Sequence, residues 1–66
     1  MDTKKIAETL KNLRGDRPAE EVANAMNISV SALRMYERGE RVPRDEIKKR
    51  FSEFYNRTVG QIFFGE

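Results

Sequence analysis

The chain is 66 residues long, with 13 lysines and arginines against 11 acids, a net charge of +2, and neither cysteine nor histidine. That length makes a single domain, 1–66, with a thin stability margin, and the missing disulfides and metals must be replaced by packing, helped by a second copy of the chain. Without a thiolate, an imidazole, a Gly-rich phosphate loop or a nucleophile with a base nearby, the composition points away from an enzyme, and no metal or cofactor is expected.

The opening stretch, MDTKKIAETL, alternates charged and apolar residues, unlike the unbroken apolar core of a signal peptide. No apolar run anywhere approaches the ~20 residues of a membrane helix, so the expected location is the cytoplasm, with no membrane partner. Ile6, Leu10 and Leu13 recur at i, i+4 and i+7, which predicts an amphipathic helix over 3–14 that Gly15 ends. Glu20 and Glu21 suit a helix N-terminus, and Val22, Ala23 and Met26 give the apolar stripe of a short second helix, about 18–26. Asn27 tolerates the left-handed conformation a tight turn requires, Ile28 plugs inward, and Ser29 caps a third helix that Gly39 stops. GERVPR, 39–44, reads as a loop, because glycine and proline punctuate it. Asp45 and Glu46 open a fourth helix whose stripe is Ile47, Phe51, Phe54 and Tyr55, and Asn56 closes it. Thr58 caps a last short helix, about 58–64, with Val59, Ile62 and Phe63 on its buried side. The N-x-T triplet at 56–58 reads as a helix end followed by a cap rather than as a glycosylation site. The expectation is an all-α chain of five helices and no strand.

Charge is unevenly spread. Between Arg34 and Arg50 lie seven basic residues and four acids, a local excess of three, while the rest of the chain is net negative by one. Such polarity points to a polyanion met by one region. The third helix carries the same hint. At about 100° per residue, Ser31, Arg34, Met35 and Arg38 project away from Leu33 and Tyr36, so the face opposite the core is free to touch something.

Helices two and three, short and separated by a few residues (the pair spanning about 18–38), have the arrangement of a helix-turn-helix. With IAETLKNLR (6–14), EEVANAMNISVSAL (20–33), MYERGERVP (35–43) and TVGQIF (58–63) in that order, the chain resembles the lambda-repressor-like helix-turn-helix proteins, including Cro, CI and Xre-type regulators. The resemblance implies a compact five-helix DNA-binding domain whose third helix enters the major groove of double-stranded DNA. Val30, Ser31, Arg34 and Met35 then fall at base-reading positions. The serine hydroxyl can donate to or accept from several bases, Val30 and Met35 suit a thymine methyl, and Arg34 suits either a guanine edge or a phosphate. Arg38, Arg41 and Arg44 fall where similar proteins follow the phosphate backbone. Arg14 and Glu37 match positions that form a buried ion pair in such proteins.

One departure stands at the start of helix two, where the family commonly has Ser or Thr followed by Gln. Pro18 and Ala19 occupy these places, so the side-chain cap and clamp are absent and only backbone amides, Ala19's among them, remain for a phosphate. The expected function is a sequence-specific regulator of transcription, a repressor or phage-type switch, binding a pseudo-palindromic operator as a homodimer. The alternative is a protein-interaction module on the same fold, an antitoxin or anti-repressor. Ile62, Phe63 and Phe64 cannot all face inward on so short a helix, and similar proteins pair through it, so these three are the expected dimer interface with Phe64 foremost. No small-molecule ligand is expected.

Overall fold

The computed structural model describes residues 2–66, and five helices account for most of them. The first, α1 (Thr3–Arg14), begins where the Asp2 carboxylate accepts the Lys5 amide at 3.1 Å and ends at Gly15, whose φ is +60°. Its buried residues are Ile6, Ala7 and Leu10. The second, α2 (Ala19–Ala25), has only seven residues and no side-chain hydrogen bond at its Pro18 cap, so packing of Val22 and Ala23 must hold it.

The turn from α2 to α3 (Val30–Glu37) is a Schellman motif. Asn27 adopts a φ of +57°, its amide donates to the Asn24 carbonyl, and the Ile28 amide donates to the Ala23 carbonyl at 3.0 Å. Ile28 then packs on the core, and the Ser29 hydroxyl accepts the Ala32 amide to start α3. The same motif closes α3. Gly39 has a φ of +72°, and a Cβ there would lie 3.1 Å from the Thr3 carbonyl oxygen, so both the turn and the close approach to α1 require glycine.

A loop through the buried Pro43 leads to α4 (Asp45–Tyr55), which ends at left-handed Asn56. The last helix, α5 (Val59–Phe63), carries a reciprocal capping box between Thr58 and Gln61. Helix α3 packs on α1 and α2, and α5 on α1 and α4. Phe51 is fully buried at the centre and meets Tyr36 edge-on at 5.9 Å, Phe63 edge-on at 5.9 Å and Tyr55 stacked at 6.2 Å. One ring of α4 therefore joins α3 to α5. Among the described residues no helix is long and apolar enough to cross a membrane, and no strand occurs.

Candidate nucleic-acid interface

Helix α3 is oriented from within. Leu33, Tyr36 and Glu37 are buried, and with eight residues the helix has no freedom to roll once these three are seated. Ser31 and Arg34 are thereby driven outward, and Met35 is half-buried beside them. Val30 is also half-buried and packs against the core beside Ala23 and Ile28, so much of its methyl surface is already spent.

Glu37 is a buried carboxylate, 5% exposed, and its partner comes from α1. Arg14 Nε donates to both Glu37 oxygens at 2.8 and 3.1 Å, and Nη2 donates to Oε1 at 2.9 Å. Arg14 Nη1 adds a bond to the Arg17 carbonyl at 2.7 Å. The hydrogen bond to Glu37 holds the Arg14 guanidinium above its usual pKa. This fork ties the end of α3 to the end of α1.

Around the outer face of α3 the cations differ. Arg38 is held by Glu40 through two hydrogen bonds, 2.9 and 3.1 Å, with both side chains about half exposed. Arg34, Arg41 and Arg44 are exposed and have no side-chain partner among the described residues. An unpaired guanidinium can accept a phosphate without first releasing a carboxylate, whereas Arg38 must exchange Glu40 for it. Ala19 turns its methyl into the core and is 7% exposed, so only its amide faces the start of α2. Glu20 and Glu21 are exposed in that same first turn.

One expectation needs correction. The basic stretch from Arg34 to Arg50 is not one surface. Lys48 is 8% exposed, with its ammonium 3.6 Å from Asp45 and 5.8 and 5.2 Å from the ring centres of Phe63 and Phe64. Arg50 turns to the end of α2 and donates to the carbonyls of Met26 and Asn27. In α5, Ile62 and Phe63 are each 3% exposed and belong to the core, on the buried side expected of that helix. The capping box turns them inward, which leaves Phe64, 56% exposed, as the aromatic of the three that a partner can reach.

The inward roles of Lys48 and Arg50 escape sequence reading because their partners lie 15 and 24 positions away in the chain. Asp45, three residues before Lys48, and Glu46, four before Arg50, are the local signals, and they meet these cations at 3.6 and 2.8 Å.

Neither the curated proteins nor the solved structures contain a match to this chain. A helix-turn-helix family model matches residues 6–62, which take in all of α2, the turn, α3 and α4 and nearly all of α5. An all-α chain with this match, an α3 seated on three buried residues and a row of free arginines beside it is a DNA-binding regulator of transcription, and it belongs to the lambda-repressor-like helix-turn-helix family of Cro, CI and Xre type.

Proposed function

We propose that the chain represses or switches transcription as a homodimer on a pseudo-palindromic operator, with α3 of each copy in the major groove. The observation that carries this reading is the division of α3. Its inner side is fixed by Leu33, Tyr36 and the Arg14–Glu37 fork, while Ser31 and Arg34 stand free beside Arg41 and Arg44. Val30, Ser31, Arg34 and Met35 read base edges; Arg41, Arg44, Arg38 once freed from Glu40, and the Ala19 amide meet phosphates. Phe64 is the anchor of pairing, and two copies joined through it set their recognition helices about 34 Å apart, one turn of the duplex. The protein then works in the cytoplasm on the nucleoid, and needs neither cofactor nor catalysis.

Selection from a random duplex library, followed by a salt series on the enriched pool, tests this. The expected result is a palindrome with half-sites one turn apart and an affinity that falls steeply with salt, because phosphate contacts release counterions. Replacing Phe64 by Glu is expected to return the chain to a monomer in sedimentation equilibrium and to weaken binding to the palindrome; an unchanged mass rules out Phe64 as the anchor. A protein-interaction role, as an antitoxin or anti-repressor, is the second reading. It is favoured by the start of α2, where no side chain is placed to clamp a phosphate and two carboxylates stand exposed. Failure to enrich any duplex supports that reading.

A further inference from the structure

The α2–turn–α3 unit is tied to the rest of the chain by side-chain hydrogen bonds at two places among the described residues, and both use an arginine from outside the unit. Arg14 holds the end of α3, as described above. Arg50, on α4, holds the turn. Its Nη1 donates to the Met26 carbonyl at 3.4 Å and to the Asn27 carbonyl at 3.2 Å, while Nη2 is held by Glu46 at 2.8 Å.

The end of α2 needs such a partner. A helix leaves its last carbonyls without intrahelical donors and carries partial negative charge there, and α2 has no basic residue in its own last turn. The cation comes instead from α4. Only a planar fork can serve two carbonyls with one nitrogen and a carboxylate with the other; a lysine ammonium has a single nitrogen on a more mobile stem. Asn27 and Ile28, which set the path into α3, are the residues next to this contact.

We infer that Arg50 is a positioning residue for DNA binding. It fixes the turn, and so the angle at which α3 is presented, without touching DNA itself. The inference rests on the reading of α3 as the recognition helix. It separates Arg50 from Arg34, Arg41 and Arg44. Those three are unpaired, whereas Arg50 is already matched by Glu46, so an approaching phosphate meets the carboxylate as well.

The test uses the whole chain with Arg50→Met, Arg50→Lys and, as a phosphate control, Arg44→Ala. Amide hydrogen exchange without DNA reads the clamp directly. Arg50→Met is expected to speed exchange at Asn27 and Ile28 about ten-fold relative to the amides of α1, as a local opening would. On the selected duplex the same variant is expected to lose about ten-fold in affinity, the worth of one base contact made imperfectly. Its salt slope and its affinity for unrelated duplex are expected to stay those of the unaltered chain, because no phosphate contact has gone. Arg44→Ala is expected to lower both affinities and to reduce the slope by about one. Arg50→Lys is expected to restore little.

Unchanged exchange at the turn overturns the clamp. A reduced salt slope in Arg50→Met overturns it in favour of a phosphate contact, and full recovery with lysine shows that charge, not the fork, is what matters. Slower thermal unfolding or faster, with the ratio of specific to unrelated affinity unmoved, leaves Arg50 a purely structural residue and also overturns the inference. If the unaltered chain selects no duplex, the DNA reading fails on that result alone, and exchange still decides whether Arg50 governs the turn.

Discussion

Arg34 and Arg50 bound the most basic stretch of the chain, and the fold uses them in opposite ways. Arg34, on α3, reaches solvent with no partner; Arg50, on α4, is engaged by two carbonyls and a carboxylate. Arg41 and Arg44 side with Arg34, while Lys48 and Arg14 side with Arg50. A count of charges along a sequence therefore does not draw a surface. What draws it is the phase of each cation on its helix and whether a carboxylate already neutralises it, because only an unmatched charge gains fully from a phosphate.

The largest effect expected from this contrast comes from the inner group. Arg14→Met strands Glu37, which is 5% exposed, and is expected to cost about 3 kcal/mol in denaturant unfolding, the low end for a broken buried pair because Arg14 itself is partly exposed. For a domain of this size that is most of the margin. A loss under about 1 kcal/mol would mean that water reaches Glu37 and that the end of α3 is not held by the fork.

Next in size is Arg34→Ala, which sharpens the contrast from the other side. Stability is expected to stay within about 0.5 kcal/mol, since no bond is broken, while affinity for the selected duplex falls by about 2 kcal/mol. A loss confined to one base position assigns Arg34 to a guanine edge; a uniform loss with a shallower salt slope assigns it to a phosphate. Unaltered affinity would remove Arg34 from the interface.

These two variants also mark how far the sequence could be read. The five helices are legible because each depends on neighbours in the chain: Ile6, Leu10 and Leu13 at helical spacing, Ser29 and Thr58 as caps, Asn27, Gly39 and Asn56 where φ must be positive. The inward seating of Leu33 and Tyr36 was legible for the same reason, and with it the outward face of Ser31 and Arg34. Lys48 and Arg50 were not, because a lysine or arginine on a helix reads as solvated until distant aromatic rings and carbonyls are brought to it. In α5 the same spacing put Ile62 and Phe63 on the buried side, where both lie, but a segment of five does not show which apolar side chain is left for a partner, and of Ile62, Phe63 and Phe64 it is Phe64 that is exposed.

Lys48→Met tests the inner group at lower stakes. Methionine keeps the apolar stem's packing and removes the ammonium beside Phe63 and Phe64. The expected cost is about 1 kcal/mol, between the worth of an exposed cation–ring contact and that of a fully desolvated one. A gain in stability instead would mean that the dehydration of the ammonium outweighs its attraction to the rings and to Asp45.

The smallest effect belongs to a polar group that the fold leaves unmatched. Tyr55 is 8% exposed, and its hydroxyl is buried with no hydrogen-bond partner among the described residues. Burial, with a further contribution from the nearby Glu37 carboxylate, raises its pKa above the usual value. The folded chain thus keeps the phenolic proton more strongly than the unfolded chain does. Stability from this group is intact below about pH 10, where both states are protonated, and is lost as pH climbs from there through the raised folded value. Arg14, also raised, titrates too far into alkali to contribute in the same window. Tyr55→Phe removes an uncompensated hydroxyl and keeps the ring against Phe51 and Phe54, so it is expected to stabilise the chain by about 0.5 kcal/mol at neutral pH. Above about pH 10 the gap should widen, because the variant lacks a proton to lose. Denaturant unfolding of both chains at neutral pH and in alkali measures it. A variant less stable at neutral pH, with a gap that does not grow, would mean that the hydroxyl is satisfied in solution and is one more group held by the Arg14–Glu37 end of the fold.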